Sequence, residues 1–363
     1  MFKRAYNGLR RSYRMARHVY SVMTNLRDFW FAREVQVNVD RGKQRIVCRL
    51  DEFDDFLFKH GDVLTVSSAA KEVRTLDGSL NLLVGPAMPI RIPPSMEFCQ
   101  FQDYRLPVHL LNLTGGGVDM LGPIGEKHVS NYDKFMGLTE GCTVLEIGCG
   151  IGRDAFQLVK RLPPIGRYIG IDVTRDSILW CQKNITTRYP NFVFDHFDAK
   201  HELYNPLGSK TSMDFQLPAE DGSVDRIFLG SVFTHLFEEE ITHYMKEIRR
   251  ILRPDGLAYA TFFLYSPEII EAARRTKRSP NGLMFEHAYA DGCYISDASY
   301  PTGSVAFTDE AIHRMMANAN LKLARPYLPG WWSGFFEEAE DGQEVAILTP
   351  DLPLPAENRI APA

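Results

Sequence analysis

No uninterrupted apolar stretch in this sequence of 363 residues approaches the roughly 20 residues that a membrane-spanning helix needs. It has no C-x-x-C pair. Its six cysteines stand apart at 48, 99, 142, 149, 181 and 293. That spacing disfavours a structural zinc site and a disulfide framework, and fits a reducing, cytoplasmic compartment. Positive charge is not in excess: the formal net charge is −5, so there is no general pull toward a polyanion and nucleic acid is not an expected partner. A secretory leader is also lacking, because residues 1–30 carry charges throughout where such a leader has a central apolar block. What remains, 45% hydrophobic and 24% charged, is the composition of a soluble globular protein. The length suits one large domain with an appendage, or two ordinary domains.

Acids are missing from the start of the chain. Lys3, Arg4, Arg10, Arg11, Arg14 and Arg17 all precede the first one, Asp28. Phe2, Tyr6, Leu9, Tyr13, Ala16, Tyr20 and Met23 recur at alternating spacings of four and three, which predicts an amphipathic basic helix within residues 1–35. Such a helix packs against its own protein, or lies on an anionic membrane surface or a partner. An Arg-rich, acid-poor start also resembles a mitochondrial presequence. Residues 36–124 read as a β-rich region and linker: VQVNV and RIVCRL alternate, LNLLVG is apolar, and prolines cluster at 86, 89, 93, 94 and 107.

From about residue 140 strands and helices alternate. CTVLEIG, RYIGIDV, FVFDHF and VDRIFLGSVF read as strands, with DAFQLVKRL and DSILWCQKNI as helices between them. In EEEITHYMKEIRRIL the residues Ile241, Tyr244, Met245, Ile248 and Leu252 form one apolar face, with acids at the start and arginines at the end as the helix dipole prefers. LAYATFFL follows as a strand. This alternation indicates βαβ units around a parallel sheet, whose ligands sit at the carboxyl ends of the strands.

The stretch VLEIGCGIGR, residues 144–153, ends the first of these strands. Gly148, Gly150 and Gly152 give G-x-G-x-G, and Arg153 holds the place of the third glycine in the dinucleotide fingerprint. Glu146, two residues before the first glycine, is unwelcome beside a pyrophosphate and suits a ligand that carries positive charge. Asp172 ends the next strand, where a carboxylate can accept from ribose hydroxyls, and Asp198 follows the third, where it can accept from an amine. The three acids are spaced 26 residues apart, about one βα unit each.

With these residues in place, the region 125–350 resembles a class I S-adenosylmethionine-dependent methyltransferase of the small-molecule or glycan type. VLEIGCGIGR is similar to the first motif of that family, YIGIDV to the second, HFDA to the third, LPAEDGSVDRIFLGSVFTHL to the fourth and LRPDGLAYATF to the segment after it. The resemblance implies an α/β fold: a Rossmann-like, seven-stranded sheet, parallel except for one strand near the edge, with helices on both faces. AFTDEAIHRMMANANLKLARPY and QEVAIL look like its closing helix and last two strands. The N-terminal helix and the small β-rich region would precede it, and residues 351–363 would form a tail.

The resemblance further implies S-adenosylmethionine as cofactor. Gly148 and Gly150 would wrap its methionine end, Glu146 would orient the ammonium, and Arg153 would reach the carboxylate. Asp172 would hold the ribose and Asp198 the adenine amine, with the backbone around Gly230 beneath the sulfonium. His235, in GSVFTHLF, is the candidate base for a hydroxyl acceptor; the alternative is that it packs or caps the following helix. Residues 266–305, with Phe285, His287, Tyr289, Tyr294 and Tyr300, read as a substrate lid, and WWSGFF at 331–336 as a lining of the same opening. Candidate substrate contacts are therefore His287, Tyr294 and Trp331. No metal is expected at His196 or His201. The fourth strand carries LGSVF in place of the proline-rich motif of nucleic-acid amino-methyltransferases. The expected acceptor is thus an oxygen or nitrogen of a small molecule or glycan. Protein methylation, or a catalytically silent binding protein, is the alternative.

Overall fold

The computed structural model describes residues 98–351, apart from 115–116, 202–203, 206–207, 215 and 280–281, together with the backbone of short strands between 33 and 92. All but the last few residues of the expected basic helix, and all but the first of the expected C-terminal tail, lie outside the described residues. The chain divides after Val118 into two units.

The first unit is built from short antiparallel strands. Arg33–Gln36 pairs with Pro89–Ile92, and Phe98–Phe101 with Tyr104–Pro107. Between them Asn38–Asp40, Arg45–Val47, Val63–Ser67, Glu72–Thr75 and Gly78–Leu80 follow one another as a five-stranded antiparallel meander.

The second unit opens with helix α1 (Gly117–Met136) and then alternates strand and helix. Its elements are β1 (Thr143–Ile147), α2 (Ala155–Leu158), β2 (Arg167–Asp172), α3 (Arg175–Cys181), β3 (Phe192–His196), β4 (Val224–Leu229), α4 (Glu238–Ile251) and β5 (Leu252–Leu264). Then come α5 (Pro267–Thr276), β6 (His287–Ala290), β7 (Cys293–Ile295), β8 (Val305–Phe307), α6 (Asp309–Asn318), β9 (Leu321–Leu323) and β10 (Glu344–Pro350). Strands β3, β2, β1, β4 and β5 lie side by side in that order, all parallel. Strand β10 joins β5 antiparallel, and β9 joins β10. The seven-stranded, mostly parallel sheet is the Rossmann-like α/β fold that the motifs implied. Near-continuous apolar runs build its inner strands, because helices cover both faces: Val144, Leu145, Ile227, Phe228 and Leu229 are fully buried.

One helix is shorter than the sequence reading, and the segment read as a substrate lid has secondary structure of its own. The helix after the glycine loop runs only over Ala155–Leu158 and not through DAFQLVKRL. Past Leu158 the chain tightens into i→i+3 bonds, Lys160 N–H to the Gln157 carbonyl and Arg161 N–H to the Leu158 carbonyl, which end the α-helical ladder. The segment 266–305 is not a plain loop. It holds α5 and a β6–β7 hairpin, and β8 carries that hairpin onto the upper end of β5 through Phe263 and Leu264. Among the described residues no helix is long and apolar enough to cross a membrane.

Candidate functional site

The order β3-β2-β1-β4 reverses direction at β1, and the loop that leaves β1 at that point is the glycine stretch. Its glycines have positive φ: +80° at Gly148, +52° at Gly150 and +84° at Gly152. At Gly148 a Cβ would also come within 2.7 Å of the Val232 side chain, so the backbone there has no room for a larger residue. The loop turns its amides into the protein. Gly148 and Cys149 donate to the Ile171 carbonyl at 2.8 and 3.1 Å, and Gly152 donates to the Cys149 carbonyl at 2.9 Å. Gly150 donates to Asp172 Oδ2 at 2.8 Å. With four N–H groups spent inside, the loop is not the amide nest that a pyrophosphate requires. It suits the neutral or cationic part of a ligand.

Strands β1 to β3 deliver the three expected acids. Glu146 is buried in β1, where the Tyr168 hydroxyl of β2 donates to it. Burial pushes its carboxyl well above the usual carboxylate range, reinforced by the nearby Asp154 charge and only partly opposed by Tyr168 and Arg153. Asp172 ends β2 and accepts from Gly150 N–H and, through Oδ1, from Thr174 N–H at 2.7 Å. Burial raises its carboxyl and these two bonds act against that rise. Asp198 lies just past β3 and holds its own loop: it accepts from Ser209 Oγ at 2.6 Å, Ser209 N–H at 3.2 Å and Asn205 Nδ2 at 3.0 Å. These bonds bring its carboxyl down to about 2, so it is ionised at any working pH.

Gly230 follows β4, and Ser231 after it takes a left-handed φ of +58°. That backbone is rare for serine and is held by its surroundings. Ser231 N–H donates to Thr261 Oγ1 of β5 at 2.7 Å, while Gln343 Nε2, just before β10, donates to Ser231 Oγ at 3.0 Å. The chain then enters a single 3-10 turn, Phe233–His235. His235 Nδ1 lies 3.0 Å from the Thr302 carbonyl, which can only accept, so this nitrogen carries the proton and Nε2 is the basic atom. Burial lowers the affinity of the ring for a second proton, against the opposing bond to Thr302. The rings of His201 and Tyr204 lie edge-on to it, at 6.4 and 6.3 Å between centroids. His201 is itself held down to about 4 by burial and by His235. Among the described residues no group of three or more His, Cys, Asp or Glu is placed to hold a metal.

Arg153 comes out of the loop beneath α1, with Nε 3.7 Å from Asp154 Oδ1. Asp154 and its partners were not singled out in the sequence. His128 Nδ1 lies 3.0 and 2.9 Å from the two Asp154 oxygens, and the Tyr132 hydroxyl donates to the same carboxylate at 2.7 Å. The four-residue spacing of His128 and Tyr132 on one helix is the only sequence signal for this cluster.

The aromatics expected around the substrate separate into two groups. Phe285 and Trp332 are buried and pack on Phe263, with ring centroids 5.1 Å from it in each case. Trp332 Nε1 donates to both oxygens of Glu344 at 3.0 and 2.8 Å. These two are core residues and do not line an opening, because a ring that fills a gap between helix and sheet gains more from burial than from water. Tyr294 is stacked on Tyr265 at the end of β5, 3.5 Å between centroids, while His287 and Trp331 are exposed.

Comparison with known proteins agrees with this geometry. Residues 144–256 match the family model described as methyltransferase domain. An arsenite methyltransferase from Aquipseudomonas alcaligenes is 23% identical over 172 residues, 47% of this chain and 46% of that protein. A demethylmenaquinone methyltransferase from Staphylococcus aureus is 28% identical over 124 residues, 34% of this chain and 44% of that protein. The chain thus spans less than half the length of either relative. A solved structure of an S-adenosylmethionine-dependent methyltransferase from Methanosarcina mazei is similar over 62% of this chain and 98% of its own, at 18% identity and a TM-score of 0.41. The matched segment supplies the glycine loop and strands β1 to β4 and opens β5, so the second unit contains a stretch similar to a methyltransferase domain.

Proposed function

We propose that this chain methylates an oxygen or nitrogen of a small molecule or glycan, with S-adenosylmethionine as the methyl donor. The observation that carries the reading is the inward-turned glycine loop at the β1–β4 crossing, with Asp172 bonded to Gly150, Glu146 buried in the strand that leads into the loop, and Asp198 just past β3. That donor set fits a zwitterionic tail joined to a nucleoside. The names of the two relatives, arsenite and demethylmenaquinone methyltransferases, support a small-molecule acceptor.

When bound, the cofactor supplies an electrophilic methyl group. The protein's own work is to hold it, to align the acceptor with it and to keep water away. Glu146 and the loop around Gly148 and Gly150 take the amino-acid tail. Asp172 takes the ribose with the lone pairs that Gly150 and Thr174 leave over, since each carboxylate oxygen accepts twice. Asp198 takes the adenine amine, and the backbone at Gly230 closes the space beneath the reacting centre. His235 presents a basic Nε2 five residues beyond Gly230, and its burial favours the neutral ring, the form that accepts a hydroxyl proton. Tyr294, His287 and Trp331 are assigned to the acceptor.

Calorimetric titration with S-adenosylmethionine, its demethylated product and NAD tests the reading. The first two should bind and NAD should not. No heat from the first two at about millimolar concentration, where even a weak site of about 4 kcal/mol is half filled, refutes it.

A further inference from the structure

The cluster at Asp154 has a geometry that the assignments above do not use. Asp154 is 2% exposed and is the first residue past the glycine loop. Burial works to raise its carboxyl, but the charges of His128 and Arg153 and the bonds from His128 and Tyr132 outweigh burial and hold it below its ordinary value. It is therefore a fixed anion behind the His128 ring. Fastening α1 to the loop would need no more than the Tyr132 hydroxyl on Asp154. The ring, however, reaches farther. A Cβ built on Gly230 would lie 3.8 Å from His128 Cε1 and within 4 Å of no other atom counted as a neighbour, so the ring stands over the open end of β4. Its side chain keeps 15% of its surface accessible. His128 thus spans from the glycine loop to the end of β4, the two segments assigned to the amino-acid tail and to the reacting centre. With Nδ1 committed to Asp154, Nε2 is the atom that a ligand meets.

We propose that His128, oriented by Asp154, hydrogen-bonds the carboxylate of the cofactor's amino-acid tail through Nε2. The assignment rests on the methyltransferase reading above and places beside Arg153 a second group for that carboxylate. With Nδ1 against one carboxylate, an imidazole has its Nε2 left to face a second. Asp154 is the inner anion and the tail's carboxylate the outer one. Tyr132, stacked on Phe228 of β4 at 3.7 Å between centroids, keeps the helix face in register with the strand below.

The test compares S-adenosylhomocysteine with its decarboxylated analogue, which keeps the amine and the nucleoside and lacks only the carboxylate, on the full chain by calorimetry. His128→Phe should weaken S-adenosylhomocysteine by at least about tenfold, the effect of one charged hydrogen bond, and leave the analogue within about twofold. His128→Gln, which keeps a donor, should lose less. In the wild-type protein, nitrogen-15 spectra should show the His128 Nε2 signal move on adding S-adenosylhomocysteine and stay in place with the analogue. Equal weakening of both ligands would make His128 a structural fastener and overturn the proposal. Unchanged affinity for S-adenosylhomocysteine in the folded His128→Phe variant, or an Nε2 signal that ignores the carboxylate, would also overturn it. If the wild type binds neither ligand, the methyltransferase reading fails instead, and that result is distinct from the others.

Discussion

A carboxyl group shut away from water holds its proton until a cation comes to replace it. Glu146 is in that position: buried in β1, bonded by Tyr168 and pushed well above the usual carboxylate range. If the cofactor's ammonium arrives beside it, the proton leaves, and affinity rises with pH over the range in which the free protein still holds that proton. Calorimetry with S-adenosylhomocysteine in two buffers of different ionisation enthalpy should show release of up to about one proton per ligand in that pH range, lost in Glu146→Gln. Identical release from both proteins would remove Glu146 from the ammonium site. Asp172 carries a separate expectation. Its loss in Asp172→Ala removes the ribose acceptor and also the partner of the Gly150 amide, so cofactor binding should weaken by about 1.5–3 kcal/mol. A folded variant with unchanged affinity would refute the ribose assignment. The three acids were legible in the sequence because they fall in register at strand ends. The His128–Asp154 pair was not, since it joins a helix to a loop 26 residues on and follows no periodic pattern.

Within single elements, local sequence was a good guide to type and a poor one to extent and neighbours. The apolar face of α4 is buried as its spacing predicts, at Ile241, Tyr244, Met245 and Ile248. α2 stops after Leu158, where the chain tightens into three-residue turns that the apolar pattern of DAFQLVKRL does not signal. WWSGFF and Phe285 look like a lining when read alone, and only the tertiary fold shows that Trp332 and Phe285 fill the space beside β5. Burial of Glu344 beneath Trp332 creates a pH dependence at the start of β10. Glu344 opens β10 with its carboxylate bonded by Trp332 Nε1 and by Leu264 N–H at 3.0 Å, yet burial still lifts its pKa from 4.5 to about 7. The folded protein keeps this proton to about pH 7 whereas the unfolded chain releases it near 4.5. The contribution to stability is therefore complete below pH 4.5 and is lost as pH rises to about 7. Denaturant unfolding across that window should show a downward slope of up to about 1.4 kcal/mol per pH unit from this group, flattened in Glu344→Gln. Equal slopes in the two proteins would contradict it.

For the molecule as a whole, the strand order placed the site where the glycine loop alone could not. Ten residues with alternate glycines are compatible with several nucleotide ligands; the same residues at the crossing of β1 and β4, with amides turned inward and acids in or just past three consecutive strands, are the ground for the ligand proposed above. The sequence carried this order because each βα unit repeats at a similar length. It carried less about residues 266–305, whose hairpin reaches β5 only through β8. The most direct measurement is a crystal structure with S-adenosylhomocysteine bound. The ribose hydroxyls should lie within hydrogen-bond distance of Asp172, the adenine amine by Asp198 and the amino-acid tail against Gly148 and Gly150. A nucleoside lodged elsewhere, with Asp172 and the glycine loop untouched, would contradict the account.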